Sequence, residues 1–504
     1  MDKISLVINV IYSDIKKNKN KIKQMFSMDK NVDFNLREFK IEFKDHISDA
    51  FLIYYDGMSS QNYLNRDIMR SLLTCRAYDT VSTPKKDIIT ERIISVAPLS
   101  VADDYEFVGE RVSFGECGIF VDGCDCCFIA DIKGWDARGV DAPTQEVSLV
   151  GPQEAFNESI MTNIALIRKI LKNPKVTATN IPVGKTNKIP CAVMYIDGIA
   201  NDEIVNEVQR RLKGIDTEYI FSSSDVEMMI EDWAYFPMTR TLKTERPDRA
   251  ASMLVEGKVV IVVQGSPFVL IVPTTTMDLI EATEDNYVRV PEANMMRIVR
   301  LFGMSISVLL PALFVAVMLY HREVLPTDLL VSISASRESV PFPLVLELVL
   351  MEISFELIKE ASVRVPNPIG STLGIIGGLI LGQAAVEAGI VSPLLIIVVS
   401  IGGIGAFSTP TIPLSRSLGI LKFIYIFSAY FFGVIGLALA ILVTLASLST
   451  TKTFGIPFLS GYTTGRRSAE SILVKPIWKK ERRAPELKAK DDVKQPHISR
   501  KWRE

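Results

Sequence analysis

The spacing of apolar positions divides the chain into two parts of different character. Before about residue 290, short apolar runs alternate with amphipathic stretches, whereas after Arg300 the apolar runs become long enough to cross a bilayer. Residues 41–290 are therefore predicted to form a soluble α/β region, with two subdomains and a boundary near 175–190. Residues 1–40, which are rich in Lys and Asn, are predicted to form a variable N-terminal segment.

Local patterns in the soluble region predict strands, hairpins and helices. A helix at 201–212 is predicted to be capped by Asn201, and a helix at 152–172 is predicted to begin at Pro152, which suits a first helical turn. No fixed-period repeat is evident in the sequence. The remaining predictions are buried strands at 49–58 and 191–198, a hairpin at 118–132 that turns at Asp122-Gly123, and a hairpin at 258–273 that turns near Gly265-Ser266.

Four apolar runs predict a helical membrane domain over residues 295–450. The run 301–320 has twenty residues without a charge, and 423–447 is a second run of crossing length. Two further runs, 369–390 and 392–408, meet at a tight turn and are predicted to form a helical hairpin. With four crossings, the soluble region and the C-terminal tail lie on the same side of the membrane.

A further apolar segment, 340–361, differs from these because it contains glutamates. Glu352, Glu356 and Glu360 follow one another at four-residue intervals and so share one helical face, and Glu347 precedes them. Exposing such a stripe of carboxylates to lipid would cost a large amount of free energy. The segment is therefore predicted to be an amphipathic, interfacial or re-entrant helix, or a helix that lines a wet cavity.

The distribution of charge indicates which side of the membrane the tail occupies. The net charge is −2, but residues 452–504 contain fourteen Lys or Arg against six Asp or Glu, a net of +8 that leaves −10 for the rest. A basic tail directly after apolar segments is typical of the cytoplasmic side of a membrane rather than of a nucleic-acid-binding arm. Residues 451–504 are therefore predicted to be a basic cytosolic tail.

One arm of the predicted hairpin combines small residues with a polar pair. Gln383 and Glu387 are four residues apart and lie about 100° around the helix from a stripe of glycines. Such a helix can pack through one face while its polar face points toward a lumen between subunits. The stripe, which would let another helix approach closely, consists of Gly370, Gly374, Gly378 and Gly382.

Alternative interpretations of the carboxylates remain open at this stage. Glu387 lines or gates an ion path, which is the default for an intramembrane ionisable residue, or it is protonated or hydrogen-bonded to a neighbouring helix and merely fixes packing, or its segment does not lie in the membrane. Glu347, Glu352 and Glu356 are candidates for the same pore or gating role, and the alternative for them is the polar face of an interfacial helix. In the first interpretation all of these residues act on the movement of ions.

No catalytic, metal-binding or cofactor-binding motif is recognisable. The cluster Cys124-Asp125-Cys126-Cys127 has no histidine nearby, and strand alternation sends its last two thiols to opposite faces. The run ERPDR at 245–249 mixes charges and is interpreted as a surface ion-pair cluster. There is no phosphate-binding loop, dinucleotide fingerprint or nucleophile elbow. We therefore expect no enzyme activity, no cofactor, no metal and no nucleic-acid partner.

Six ordered stretches of the chain carry a family resemblance. They are GPQEAFNESIMTNIALIRK (151–169), YIDGIANDEIVNEVQRRL (195–212), TERPDRAASMLVEGKVVIVVQGSPFVLIVPTT (244–275), PFPLVLELVLMEISFELIKEASVRVP (341–366), GQAAVEAGIVSP (382–393) and FGIPFL (454–459). Together these stretches resemble the A subunits of the GerA family of bacterial spore germinant receptors. The resemblance runs from about residue 110 to residue 460, across both the soluble and the membrane parts.

The resemblance implies a location, partners and a function. Such A subunits are multi-pass proteins of the inner spore membrane, in contact with its lipid, with cytosolic N-terminal domains. They act with a transporter-like B subunit that binds the nutrient and with a lipoprotein C subunit. The resemblance further implies a homo-oligomer, a pentamer, that forms a nutrient-gated cation channel and triggers germination. It assigns no pore role to Glu387, which rests on the residues alone.

Three alternative functions are weighed against this one. The F protein of the stage V sporulation A operon is similar in layout and amplifies germination signals. The AVEAG and TERPDR motifs of this chain are more similar to those of the receptor A subunits. A single-chain transporter would need more crossings than four. A membrane-anchored signalling scaffold would use its helices only as anchors and would tolerate Leu at positions 383 and 387.

Overall fold

The computed structural model describes residues 10–75, 84–94, 98–134, 142–143, 146, 150–233, 237–338, 340–364, 382–460, 473, 487 and 489–490. These residues form two α/β domains followed by a region of long helices. The predicted order of an α/β region before a helical region is confirmed.

The first domain is a five-stranded antiparallel sheet with a separate apolar core on each face. Its elements are α1 (Ile15–Met25), β1 (Phe34–Glu42), β2 (Ile47–Tyr55), α2 (residues 61–73), α3 (residues 85–93), β3 (Leu99–Ala102), α4 (Tyr105–Val112), β4 (Cys117–Val121) and β5 (Cys127–Ala130). The strand order is β1-β2-β4-β5-β3. The central strands β4 and β5 are buried at every position, because alternate side chains enter the two cores.

The second domain is also a five-stranded antiparallel sheet covered by helices. Its elements are α5 (Ile160–Ile170), β6 (Val176–Val183), β7 (Ile189–Ile196), α6 (Asp202–Lys213), α7 (Ser223–Ile230), β8 (Leu242–Thr244), α8 (Pro247–Val255), β9 (Val259–Val263), β10 (Val269–Val272) and α9 (Thr276–Ile280). The strand order is β6-β7-β9-β10-β8. Both predicted hairpins, β4–β5 and β9–β10, are confirmed, and so is the cap of α6, where Asn201 Oδ1 accepts from the backbone of Glu203.

The two domains repeat one topology at a nearly constant distance along the chain. The strand order of the second sheet is that of the first, and β1, β2, β4 and β5 each begin 142 residues before their counterparts. The helices α4 and α8 are separated by the same distance, since they begin at Tyr105 and Pro247. The expectation that this region lacks a repeat is therefore wrong. The repeat was missed because one period spans a whole domain, far beyond the lengths of solenoid repeats.

Equivalent hydrogen bonds at the two hairpin turns show how closely the domains correspond. Asp122 Oδ1 accepts from the backbone N–H of Ile15 at 3.3 Å, which places α1 against the first hairpin. Gln264 Oε1 accepts from the backbone N–H of Ile160 at 2.9 Å and places α5 in the same way. The role of the turn residue persists although its identity differs.

Buried asparagines also occupy equivalent positions in the first helix of each domain. Asn18 bonds both the N–H and the carbonyl of Tyr12, at 3.0 and 2.6 Å. Asn163 bonds the N–H and the carbonyl of Asn157 in the same way, at 2.8 and 2.6 Å. Each side-chain amide forms the hydrogen bonds that a neighbouring strand would otherwise provide to this part of the backbone. These backbone groups can therefore be buried.

A buried arginine joins the two domains. Arg168 of α5 donates to both carboxylate oxygens of Asp33 at 2.5 and 2.8 Å, and its guanidinium lies 4.2 Å from the ring centre of Tyr55. Asn31 Oδ1 accepts from Arg168 at 3.1 Å and from the backbone of Ala178 at 2.7 Å. Burial raises the pKa of the Tyr55 hydroxyl well above its ordinary value, so the phenol stays neutral beside the ion pair.

Three predicted boundaries differ from the structure. The segment 1–40 is not separate from the first domain, because α1 and most of β1 lie within it and Ile22 and Phe34 enter its core. The predicted subdomain boundary at 175–190 coincides instead with β6 and its hairpin loop, whose Pro, Gly and Lys residues resemble a linker. The helix predicted to begin at Pro152 begins at Ile160, after the N-cap Ser159.

The described part of the helical region contains five long or medium helices, and residues 382–387 are also helical. The five helices are α10 (Val290–Tyr320), α11 (Thr327–Arg337), α12 (Leu344–Arg364), α13 (Pro393–Phe407) and α14 (Ile412–Thr450). Among the described residues, α10 and α14 have the length and apolar composition of membrane crossings, and α13 is a shorter apolar helix.

Glycines allow these helices to pack closely. At Gly405 an added β-carbon would collide with the backbone of Gly303 in α10, and at Gly403 it would collide with the ring of Phe355 in α12. The apolar helix α13 is thus held between α10 and α12 by contacts that only a residue without a side chain permits.

The helix α14 reverses direction at Gly433. This residue has φ +63° and ψ −146°, which breaks the helix in the left-handed half of conformational space that glycine tolerates. Ser428 Oγ donates to the carbonyl of Gly436 at 2.7 Å, although eight residues of straight helix would separate them by about 12 Å. Two arms, residues 412–432 and 434–450, therefore lie side by side. The prediction of one continuous crossing at 423–447 is wrong.

After α14 the chain returns to the second α/β domain. A short ladder pairs β11 (Lys452–Thr453) with β12 (Ile456–Pro457), and Phe458 accepts a hydrogen bond from the backbone of Thr276 at 2.9 Å. The residues that begin the basic tail thus lie against the domain from which α10 departs.

Replacing Arg168 with Met should weaken the contact between the two α/β domains and destabilise the protein. The substitution leaves Asp33 buried without its partner, so we expect a loss of about 3–5 kcal/mol in the free energy of unfolding. Thermal unfolding of the detergent-solubilised full chain measures it. The neighbouring Lys169→Met is the matched control, since its pair with Glu154 is partly exposed and should contribute less than about 1 kcal/mol. Equal effects of the two substitutions would contradict the assignment.

Candidate ion-path site in the helical region

The glutamates of α12 point into the helical region rather than away from it. Glu347 and Glu352 are only 1% and 2% exposed, and Glu356 is partly buried. The expectation that they form the solvated polar face of an interfacial helix is wrong for Glu347 and Glu352. These carboxylates can be buried because hydrogen-bond donors on neighbouring helices bind them.

Glu352 is paired with a lysine from the first arm of α14. Lys422 Nζ lies 2.5 Å from Glu352 Oε2 and 3.3 Å from Glu356 Oε1, and the lysine is itself 6% exposed. Lys422 is ten residues from each end of the arm 412–432, or about 15 Å along its axis. An ion pair therefore lies well inside an apolar bundle, where low polarity strengthens the attraction and makes the loss of either partner costly.

Glu347 is held at the start of α13. Its Oε1 accepts from the backbone N–H of Ser392 at 2.5 Å, and its Oε2 lies 3.6 Å from Arg337 Nη2. Ser392 is the N-cap of α13, so the carboxylate meets the positive end of that helix dipole. This contact fixes α12 against Ser392, where the sequence predicts a tight turn between the runs 369–390 and 392–408.

Glu356 continues the stripe toward the other end of α12. Its Oε2 lies 3.8 Å from Lys359 Nζ, and Lys359 donates to Ser415 Oγ of α14 at 3.0 Å. Together with Glu352–Lys422 these contacts show that α12 and the first arm of α14 run in opposite directions. Glu360, the last member of the stripe, is exposed.

The polar pair Gln383 and Glu387 lies on the helical residues 382–387, before α13. Both residues are exposed, which leaves them available to a lumen or to a partner. Gly382 packs against Ile396, where a β-carbon would make ordinary contact at 3.6 Å. The other members of the predicted packing stripe, Gly370, Gly374 and Gly378, lie outside the described residues. The structure therefore separates the exposed pair from the buried carboxylates, and the pore role of both groups stays a prediction.

Lys422 is the functional candidate that sequence reasoning missed. It directly precedes the apolar run 423–447, whereas the helix that carries it begins ten residues earlier, at Ile412. One signal could have found it, because Lys422 is the only charged residue between 417 and 451. A single cation in an apolar run needs an anionic partner if it is buried, and Glu352 lies in the other apolar segment that contains charged residues.

The run 245–249 is buried, not a surface cluster, and it connects to the helical region. Arg246 is fully buried, and Arg249 donates to the backbone carbonyls of Asp278 and Glu281 at 2.9 and 3.0 Å. Glu281 in turn lies 3.5 Å from Arg297 of α10. The charged run therefore supports the segment on which α10 begins.

Asp285 fixes the first turns of α10 to the second domain. Its buried carboxylate accepts from Arg297 and from Arg300, each at 3.1 Å. A fully buried carboxylate with two guanidinium partners resists rotation of the helix relative to the domain. These contacts therefore join the second α/β domain firmly to the first long helix.

The cysteine cluster has the features of core residues. Cys126 and Cys127 enter the cores on opposite faces of the first sheet, as strand alternation predicts. Burial raises the pKa of the Cys126 thiol to about 11, which disfavours the thiolate that a metal requires. Among the described residues, no three His, Cys, Asp or Glu lie together as metal ligands.

Comparison with known proteins assigns the chain to a family. Residues 20–486 match the sequence model of the Bacillus/Clostridium GerA spore germination protein. The chain belongs to the GerA family. Relatives include spore germination protein KA of Bacillus subtilis, 34% identical over 92% of this chain and 85% of the relative.

Two further GerA-family relatives show the same extent of similarity. Spore germination protein A1 of Bacillus subtilis is 36% identical, with 85% of this chain and 88% of the relative aligned. Spore germination protein GerLA of Bacillus cereus is 34% identical, with 81% and 82% aligned. A crystal structure of the N-terminal domain of the A subunit of the Bacillus megaterium spore germinant receptor GerK3 aligns at 28% identity and TM-score 0.38, covering 53% of this chain and 97% of that one.

Replacing Lys422 with Met should destabilise the helical region. Glu352 would remain buried without a counter-charge, and we expect a loss of about 3–5 kcal/mol in unfolding free energy, measured by thermal unfolding in detergent. Adding Glu352→Gln should recover part of the loss, giving a coupling energy in a double-mutant cycle. Lys359→Met, whose partners are more exposed, is the control and should cost less than about 1 kcal/mol. Strict additivity of the two substitutions would overturn the pairing.

Proposed function

We propose that this chain is the A subunit of a spore nutrient germinant receptor. Its support is membership of the GerA family and similarity over most of its length to proteins named for spore germination. In this role it acts with a transporter-like B subunit that binds the nutrient and with a lipoprotein C subunit. Its own part is to convert nutrient binding elsewhere into movement of ions, without chemistry at a catalytic centre.

The helical region is proposed to lie in the inner spore membrane. The helix α10 and the first arm of α14, residues 412–432, have the necessary apolar length, and α12 and α13 pack against them. The two α/β domains and the chain after α14 lie together, and the basic tail favours the cytosolic side for both. The N-terminal domains would therefore occupy the spore core.

The observation that carries the channel proposal is the set of buried, paired carboxylates on α12. Ionisable side chains inside a membrane are costly and are kept where they serve an ion pathway or its gate. Glu352 and Glu347 hold different neighbouring helices. The second oxygen of Glu352 has no hydrogen-bond donor among the described residues, so this carboxylate can accept a new partner when the helices move.

Gating then follows from a difference in contacts between two arrangements of the helices. A nutrient-bound B subunit would favour the arrangement that it contacts better, and the A-subunit oligomer, a pentamer in our proposal, would follow. Within each chain the Lys422–Glu352 pair holds α12 to α14 in the closed arrangement. Gln383 and Glu387, which are exposed, would line the cation path between subunits.

Spores that lack this gene test the receptor proposal. We expect early potassium release to be lost for one group of nutrients and normal for the others, since a receptor serves its own nutrient. The measurement is potassium release over a nutrient panel, compared with spores carrying the restored gene. A slower response to every nutrient would show an amplifying role like that of the stage V sporulation F protein and would overturn the receptor assignment.

Glu387→Gln tests the ion path separately. Removing the charge while keeping the shape should reduce the rate of potassium release by about tenfold, the effect of roughly 1.4 kcal/mol on an ion barrier. Glu323→Gln is the matched control, because it makes the same change at an exposed residue beyond the end of α10. Protein levels are followed by immunoblotting. Unchanged release at normal levels, or tolerance of Leu at both 383 and 387, would favour a scaffold over a channel.

A further inference from the structure

The two arms of α14 enclose a groove that no part of the described chain fills. Its volume is about 380 Å³, within the range of about 300–1,000 Å³ that small-molecule sites occupy. Leu421 and Phe432 mark its ends on the first arm, and Ser447 and Gly436 face them on the second. The groove therefore follows the hairpin from its reversal toward the α/β domains.

The hydroxyl groups in the centre of the groove wall already donate hydrogen bonds within the hairpin. Ser428 donates to the carbonyl of Gly436 at 2.7 Å, and Thr444 donates to the carbonyl of Ala440 at 2.8 Å. The small residues Gly436 and Ala440 leave the space, while apolar residues such as Ile424 and Val443 line it. An occupant of such a groove must be apolar along its length.

The length of the groove fits one leaflet of a bilayer. From Leu421 to Phe432 the helix rises eleven steps, which is about 17 Å. The hydrocarbon core of a bilayer is about 30 Å thick, so one acyl chain extends over about half of that distance. An extended acyl chain lying along the hairpin would match the groove from end to end.

The end of the groove nearest the α/β domains is flanked by cations. Arg416 is exposed five residues before Leu421 on the first arm, and Lys452 is exposed five residues after Ser447 on the second. Pro237 of the second domain also lines the groove. Exposed Lys and Arg at the cytoplasmic surface attract anionic phospholipid headgroups.

We propose that the α14 hairpin binds one anionic phospholipid, with an acyl chain in the groove between its arms and the phosphate near Arg416 and Lys452. The proposal rests on the membrane location given above but not on channel activity. It makes the hairpin a lipid-binding element of the chain. The bound lipid would fill the space that Gly436 and Ala440 leave open.

Native mass spectrometry of the full-length chain tests the proposal. The protein is reconstituted in vesicles of equal phosphatidylglycerol and phosphatidylcholine with identical acyl chains, then extracted, and retained lipid is counted per chain. Wild type should keep one phosphatidylglycerol, whereas Ala440→Leu, which fills the groove, should reduce retention by at least about tenfold. Ala438→Leu is the matched control, since Ala438 lies on the same arm, is exposed and does not line the groove.

The headgroup contact is tested by Arg416→Gln combined with Lys452→Gln. This variant should still retain a lipid but lose its preference for phosphatidylglycerol over phosphatidylcholine by about tenfold. Equal retention by Ala440→Leu and Ala438→Leu would overturn the groove as the site. So would a groove variant that keeps its lipid but loses oligomer, because the occupant would then be a second copy of the chain. Extraction of the chain without detergent would instead contradict the membrane location itself.

Discussion

Glu352 of α12 and Lys422 of α14 meet at 2.5 Å inside a bundle of largely apolar helices. Neither charge could remain buried alone, so each helix is held at the rotation and height that keep the pair intact. Glu347 imposes a second condition at the start of α13. The glutamate stripe of α12 therefore specifies the order of neighbouring helices, while glycine contacts only allow them to come close.

A second chain of charged contacts extends from the α/β domains to the same helices. Asp285 holds Arg297 and Arg300 at the start of α10, and Arg249 supports the segment beside them. The domains themselves are joined through the buried pair of Arg168 and Asp33. Because few of these groups face solvent, these contacts hold the domains to one another and to α10, and the hydrogen bond between Thr276 and Phe458 joins the second domain to the chain after α14 as well.

The sequence predicted what local chemistry decides. The turn at Asp122-Gly123 and the cap of Asn201 depend on neighbours in the chain, and both are where the pattern put them. The reversal at Gly433 was missed because the residues around it are apolar and a glycine in such a run usually serves helix packing. The domain repeat was missed because Gln264 replaces Asp122 at an equivalent turn while keeping its hydrogen bond. The partners of Glu352 were missed because they come from helices distant in sequence.

The first arm of α14 unites the features on which the helical region depends. Leu421 lines the groove between the arms and Lys422, the next residue, points about 100° away toward Glu352. The reversal at Gly433 frees the carbonyls of the last turn, and Tyr320 of α10 donates to that of Tyr430 at 2.7 Å. An arm tied at its end to α10 and at its centre to α12 cannot shift without altering one of these contacts. The width of the groove and the strength of the ion pair are therefore two consequences of a single helix position.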